Sequence, residues 1–520
     1  MDKNVDYHER LLKAIAEGEV TDKASLQRRK IELCRELGFS TVPPNSETLA
    51  RADEEMLPLV KEVLRRKDVR TLSGVAVVAV MTSPAPCPHG RCSYCPGGVE
   101  NNSPQSYTGK EPAARRASYN EFDPCRQVRA RMEQLEAIGH STDKIDLIIM
   151  GGTFTSRPWD YQVGFVRGCF DAMNSRESGS LEDAQRINEG AEHRCIGMTV
   201  ETRPDSFDDG MADRCMSLGT TRVEFGVQIL DDEILRSVNR GHGVKEVAQA
   251  TRVAKEKGLK VCYHIMPGLP GSSPEKDVES FRTMFDDERF RPDMLKIYPT
   301  LVVKGTPLYE KWRSGEYLPY TTHQAVEVIA WMKALAPEYV RIQRIQRDIP
   351  ADLIEAGVCK GHLRELIRAR MRDEGTRCRC IRCREVGLNR VMVASPDQVS
   401  LNSLEYQASG GRELFISEDV EGGHGLVGYA RLRLPSSGGT AHIRELKVFG
   451  QMAKLGTKGK EWQHRGFGKE LMSEAERYAE GEGYRTIQVT SGVGVRRYYS
   501  SLGYEKEGVY MTKRLKSLAL

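Results

Sequence analysis

The 520-residue chain predicts an α/β fold in two main parts, a partial β/α barrel followed by a smaller α+β domain. Three observations carry this. From residue 72 to 350, short apolar runs alternate with helical stretches, the pattern of βα units around a parallel sheet. From about residue 396 the runs follow one another as hairpins, with "SSGG" (436–439) marking a turn. A composition of 39% hydrophobic and 29% charged residues is that of an ordinary globular protein.

Residues 1–71 read as a helical segment whose bases bunch at 61–70. They open on "MDKNVDYHERLLK", which lacks the apolar stretch of a secretory leader. No apolar run approaches the roughly 20 residues of a membrane helix, so a cytoplasmic location without membrane contact is expected. In the 72–350 barrel the strand candidates are "GVAVVAVM", "KIDLIIMGG", "CIGMTVET", "RVEFGVQIL", "LKVCYHIMPG" and "MLKIYPT". Helices such as "CRQVRARMEQLEAIGH" and "GVKEVAQATRVAKEKG" separate them, the second closing on Gly258 as a C-terminal cap. Barrel active sites gather at the carboxyl ends of such strands. Residues 351–395 form a basic, cysteine-bearing linker. The 396–520 domain follows with strands "ELFISED", "LVGYARLRLP" and "TAHIRELKVFG", a helix "FGKELMSEAERYAEGEG", a strand "TIQVTSG", a helix "GVRRYYSSLG" and a final strand "YEKEGVYMTKRL". The net charge of +4 identifies no partner, but bases bunch at 61–70, 110–132 and 361–385. Three such runs together point to a phosphate-binding surface.

In a reducing compartment thirteen cysteines argue for metal chemistry rather than disulfides, because two tight clusters hold six of them. "CPHGRCSYCPGG" (87–98) sets Cys87, Cys92 and Cys95 in one loop directly after the first strand, at the barrel rim. Three thiolates leave one iron of a 4Fe-4S cluster open, whereas a structural zinc wants a fourth ligand, which His89 could offer. "CRCIRC" places Cys378, Cys380 and Cys383 in the linker, with Cys359 or His362 as a possible fourth ligand for a structural zinc. The scattered cysteines read as small buried hydrophobes.

The C-x4-C-x2-C spacing is similar to the C-x3-C-x2-C of radical S-adenosylmethionine (SAM) enzymes. Other strand ends agree with a SAM site. "MGGTF" brings Gly151 and Gly152, "VETRP" brings Glu201 and Arg203, and "FGVQIL" brings Gln228. In the second domain, "QHRGFG" (463–468) looks like the Q/R-x-x-G-x-G/A acetyl-CoA loop of the GNAT fold, with Gln463, Arg465, Gly466, Phe467 and Gly468 as its contacts. Glycines let the backbone approach the pyrophosphate, and the amides opening the next helix complement its charge. In that fold the preceding strand pairs its backbone with the pantetheine arm, here Glu445, Leu446, Lys447 and Val448. Tyr498 or Tyr499 stands where a tyrosine can protonate the departing thiolate, and core packing is open for the other.

With "SYTGKEP", "GHSTDKIDLIIMGGTF", "NRGH", "KIYPTLVVKGT", "QRDIP" and "REVG" also in order, the chain closely resembles, over nearly its whole length, the catalytic subunits of Elongator. The resemblance implies a radical-SAM barrel fused to a GNAT domain, in the stand-alone archaeal or bacterial form that works without other Elongator subunits. It implies a carboxymethyl group built from acetyl-CoA by a SAM-derived 5′-deoxyadenosyl radical and placed on C5 of the wobble uridine, with the tRNA anticodon stem-loop and an electron-donor protein as partners. Cys87, Cys92 and Cys95 would hold the cluster, Lys144 would contact acetyl-CoA, and Lys296 would act from the SAM pocket. The competing reading is a protein or histone lysine N-acetyltransferase with a structural barrel and Glu445 as its base.

Overall fold

Seven strands curve into an incomplete barrel. β1 (Ala76–Met81), β2 (Lys144–Met150), β3 (Arg194–Thr202), β4 (Arg222–Gln228), β5 (Lys260–Ile265), β6 (Met294–Ile297) and, after the two-residue β7 (Val302–Val303), β8 (Arg341–Ile345) form one sheet in the order β1-β2-β3-β4-β5-β6-β8. Every neighbouring pair is parallel. β7 pairs instead with β9 (Ile354–Ala356). The chain is described here from a computed structural model covering residues 2–53, 55–65, 71, 74–389, 398–420, 422–423, 425–449 and 466–515.

Alternation along the strands sorts their side chains. Val78, Val80, Ile145, Leu147 and Ile149 face outward into a core with Val128, Phe165 and Phe170 of the covering helices. The inward set is polar: Asp146, Arg222, Glu224, His264 and Lys296 line the barrel's interior. Parallel strands are ordinarily apolar on both faces. A charged inner face therefore marks where the chemistry sits.

The second sheet runs β10 (Val399–Ala408), β11 (Gly411–Val420), β12 (Gly425–Pro435), β13 (Thr440–Val448), β14 (Thr486–Val489), then β16 (Tyr510–Arg514) and β15 (Glu505–Glu507) at the edge. Only β13 and β14 pair in parallel. Helix Phe467–Gly481 covers one face through Leu471, Met472 and Ala475, which join Ile416, Ala430 and Leu432. The other face is packed against the barrel, so Phe415, Tyr429 and Phe449 share one core with Val261, Leu295 and Ile342. The linker helix Leu363–Asp373 joins that core through Ile367 and Met371. Four N-terminal helices pack separately around Tyr7, Leu11, Ile15, Leu33 and Val60, the second closed by an Asp22 capping box.

Some elements escape the sequence reading. β8 ("RIQRI") alternates charge with two isoleucines, and β10 is an edge strand whose side chains are mostly exposed, so neither carries a strong apolar run. The expected last strand is a hairpin, β15 to β16, turning at Gly508 with φ +59°. Of the described residues, no helix is long and apolar enough to cross a membrane.

Candidate active site

The loop bearing Cys87, Cys92 and Cys95 has no regular structure and is braced from outside. Ser93 N donates to the Val238 carbonyl at 3.0 Å, Asn239 Nδ2 donates to the Arg91 carbonyl at 2.8 Å, and Leu308 N donates to the Ser93 carbonyl at 2.8 Å. Cys92 and Cys95 are buried and Cys87 is half-buried, its Sγ 3.6 Å from the Thr153 hydroxyl. His89 Nε2 stands 3.2 Å from Cys92 Sγ, and burial, with Arg203 and Arg240 nearby, lowers its pKa to about 4, leaving the ring neutral. Zinc at about 2.3 Å from each sulfur would bring thiolates to roughly 4 Å of one another. Among the described residues, Cys87, Cys92, Cys95 and His89 contribute to no group of three ligand atoms within 4.8 Å of one another. Three cysteines on one braced loop match the three-thiolate donor set of an iron–sulfur cluster with one open iron.

Below this loop the strand ends converge. Gly151 and Gly152 have φ of +136° and +87°, and a Cβ on Gly151 would lie 2.1 Å from the Thr82 hydroxyl, so only glycine fits there. Glu201 accepts from the Tyr107 hydroxyl at 2.8 Å and lies 3.4 Å from Lys296 Nζ. Arg203 grips Asp205 with both arms of its fork, at 2.9 and 2.7 Å, so a SAM carboxylate reaching it meets that carboxylate first. Gln228 ends β4 with φ +73° and faces the same cavity. Lys296 pairs closely with Glu224, which accepts from His264 Nε2 at 2.7 Å. Burial alone would strip the charge from Lys296 and Glu224. Their mutual attraction holds the ammonium well above, and the carboxyl well below, their ordinary ranges.

One cavity of about 1230 Å³ connects these groups. Its lining includes Cys87 and Tyr94 of the cysteine loop, Gly152, Glu201 and Gln228 at strand ends, Glu224 and Lys296 of the inner face, and Glu445 and Lys447 of β13. Tyr107, Glu224, His264 and Arg240 are the site residues that sequence reasoning missed. A glutamate in "RVEFGVQIL" and a histidine in "LKVCYHIMPG", polar residues inside runs read as buried strands, were the available signal.

In the second domain the β13–β14 ladder stops at Ile443 paired with Val489, with a bulge at the same point in the β12 register. Beyond it, residues 445–448 have no partner strand on the β14 side among the described residues, and an extended amide chain fits there. Helix Phe467–Gly481 begins at Gly466, φ +98°, and a helix start is the end that favours an anion. The Tyr498 hydroxyl lies 2.9 Å from where a Cβ on Gly468 would stand, a position also close to Leu446 and Val448. Tyr499 instead is buried with Ile487 and Tyr504 in the sheet core. Glu445 pairs with Arg431 at 2.9 Å and faces the barrel cavity. Lys144, buried, opens β2 opposite Arg194, where the 492–495 loop packs. Gln463 and Arg465 lie outside the described residues.

Cys378, Cys380 and Cys383 place their sulfurs within 4.8 Å of one another, the separation a single zinc ion requires. Their mutual hydrogen bonds lower the Cys380 thiol far below its ordinary range. Cys359 is exposed and outside this group, as is His362.

Four family profiles match along the chain: ELP3 N-terminal domain (6–72), Radical SAM superfamily (83–284), Radical_SAM C-terminal domain (292–373) and Acetyltransferase (GNAT) family (387–504). A tRNA uridine(34) acetyltransferase of Methanocaldococcus infernus is 50% identical across 98% of both chains. Elongator complex protein 3 of Homo sapiens is 41% identical across 98% of this chain and 96% of that one. The chain belongs to this Elongator complex protein 3 family. A solved structure of the archaeal M. infernus Elp3, with residues 1–46 deleted, superimposes with a TM-score of 0.76 at 47% identity, covering 85% of this chain and all of that one. Membership brings a radical-SAM barrel, hence SAM and a 4Fe-4S cluster, together with a GNAT domain, hence acetyl-CoA.

Proposed function

We propose that the protein attaches a carboxymethyl group to C5 of the wobble uridine of tRNA, drawing its carbon from acetyl-CoA; two of its relatives bear the name tRNA uridine(34) acetyltransferase. The observation that carries this is the continuous cavity joining the Cys87 loop to β13. In this reading the acetyl methyl gives a hydrogen atom to the SAM-derived radical, the resulting carbon radical bonds to C5, the hydrogen on C5 leaves as a proton while one electron passes to an external acceptor, and water cleaves the thioester to free the carboxylate and CoA. These events demand that donor and acceptor meet in one enclosed space.

Cys87, Cys92 and Cys95 would hold the cluster. When bound, a 4Fe-4S centre with one open iron chelates SAM and supplies the electron that cleaves it. Gly151 and Gly152 offer backbone to the methionyl end, and Glu201, oriented by Tyr107, meets the ribose hydroxyls. Lys296, kept charged by Glu224, lines the same cavity and can stabilise negative charge developing there. Residues 445–448 pair with pantetheine, the first amides of helix Phe467–Gly481 receive the pyrophosphate, and Tyr498 gives a proton to the leaving thiolate. Cys378, Cys380 and Cys383 would bind a structural zinc. A lysine N-acetyltransferase needs its base open to a protein side chain. Glu445 sits under the barrel, paired with Arg431, and this favours chemistry inside.

Anaerobic enzyme with a reconstituted cluster, given SAM, acetyl-CoA and tRNA, is expected to form 5′-deoxyadenosine and carboxymethyluridine together. Uridine left unmodified by cluster-loaded protein, with acetyl-CoA instead acetylating lysines, would overturn the proposal.

A further inference from the structure

We infer that Arg240 sets how easily the iron–sulfur centre is reduced, by donating a hydrogen bond to the sulfur of Cys92. This rests on the assignment of Cys87, Cys92 and Cys95 as cluster ligands.

Residues 238–242 are the brace behind the cysteine loop, and Arg240 is at their centre. Arg240 as a whole is 7% exposed. Nε donates to the Gly226 carbonyl at 3.1 Å and lies 3.0 Å from His242 Nε2, while Nη2 donates closely to the same Gly226 carbonyl. The remaining arm, Nη1, is aimed at Cys92 Sγ, 3.6 Å away. The seat is made for it. A Cβ on Gly226 would lie 2.5 Å from Nη2, so a glycine in the middle of β4 is what admits the side chain. Arg203 fixes the backbone by donating to the Arg240 carbonyl at 2.7 Å, and a Cβ on Gly241 would lie 2.6 Å from that of His89.

A buried guanidinium normally faces a carboxylate, because burying an unpaired charge is costly. Arg222, Arg431 and Arg444 all follow that rule here. Among the described residues, no ion pair joins Arg240 to any carboxylate. Its counter-charge is the thiolate set of the loop. Hydrogen bonds to cluster sulfurs and nearby charge are what tune such potentials. Reduction adds one electron, taken from an external reductant, to a centre made anionic by its thiolates, and no bond forms or breaks. A fixed cation and N–H donor at one sulfur stabilise the added charge and raise the potential. Arg240 is thus a positioning residue for the electron-accepting step, and its role touches neither tRNA nor acetyl-CoA.

The test is a potentiometric titration of the reconstituted full-length protein, without SAM, followed by electron paramagnetic resonance. Arg240→Gln is expected to retain its iron and sulfide but to shift its midpoint to more negative potential by at least 59 mV, the equivalent of a tenfold change in a one-electron equilibrium. Arg240→Lys, which restores charge with poorer reach, is expected to fall between. An unchanged midpoint in Arg240→Gln with full iron content overturns the inference. If Arg240→Gln does not assemble the centre, Gly226→Ala decides: it keeps the arginine but pushes it from its seat, so the same negative shift supports the inference and none overturns it. Wild-type protein that assembles no iron–sulfur centre would sink the ligand assignment instead, a distinguishable result.

Discussion

The Tyr498 hydroxyl lies over Gly468 near Leu446 and Val448, while the next residue, Tyr499, turns into the core beside Leu471 and Ile487. Neighbours in sequence therefore answer differently to loss of one oxygen. Burial raises both phenol pKa values, so each is protonated at neutral pH and can serve as an acid but not as a base. Tyr498→Phe is predicted to slow CoA release by about 100-fold, the usual contribution of a general acid, with acetyl-CoA affinity little changed. Tyr499→Phe should leave the rate nearly untouched, and because the donor stays protonated through the neutral range, the wild-type rate should not fall between pH 6 and 9 through this group. Equal losses in both variants would refute the assignment. The sequence narrowed the thioester group to this pair because the fold pattern locates a tyrosine there. It could not choose between them, because which ring meets the groove depends on how a five-residue helix, Arg496–Ser500, sits on the sheet. The cysteine triplets were legible because their members are close in sequence, whereas Arg240, Glu224 and Tyr107 reach the site from separate elements that only the fold brings together.

At the level of elements, the barrel and the GNAT sheet were readable from alternation and turn residues, and the misses were strands without apolar contrast, β8 and β10. The linker differs again. Its short helix Ile381–Arg384 and the "CRC" run cannot bury much surface of their own, yet Cys380 and Ile381 are fully buried and Ile381 N donates to the Val340 carbonyl at 2.9 Å. Three thiols packed this closely repel when ionised and are held together best by a cation. Cys380→Ser is predicted to drop zinc from about one equivalent to none by metal analysis, and to lower the melting temperature by several degrees. Chelator treatment of the wild type should reproduce that loss. A Cys380→Ser protein that still binds one equivalent of zinc, or a wild type that binds none, would remove zinc from the account.

On the scale of the whole molecule, the barrel and the GNAT sheet are joined through a charge cluster with no access to water. Arg444 of β13 holds Asp293, which precedes β6, at 2.6 and 2.8 Å, and Glu413 of β11 at 2.8 and 3.0 Å. Arg431 approaches Asp293 at 3.5 Å, and Lys255, pushed down to about 8 by burial, lies 3.5 Å from Glu413. Removing Arg444 takes away the cation that hydrogen-bonds both buried carboxylates and leaves Asp293 only the longer contacts to Arg431 and Lys255, so Arg444→Met should cost about 3–5 kcal/mol in urea unfolding. Because Phe415 and Tyr429 share a core with barrel residues, hydrogen exchange in β5 and β12 should rise together rather than in one domain first. The pH dependence has a defined sign. Burial opposes ionisation of Asp293, but Arg444, Lys255 and Arg431 hold its carboxyl far below the ordinary range, so the unfolded chain binds the extra proton. The wild-type advantage over Arg444→Met is thus full above the ordinary carboxylate pKa and is lost only as the pH falls below it. Adding Asp293→Asn to Arg444→Met should recover part of the loss, since it removes the stranded charge. A single Arg444→Met variant within about 1 kcal/mol of wild type at pH 7, or exchange that rises in β12 while β5 stays protected, would show that the two domains are merely adjacent and that the cavity between them is free to open.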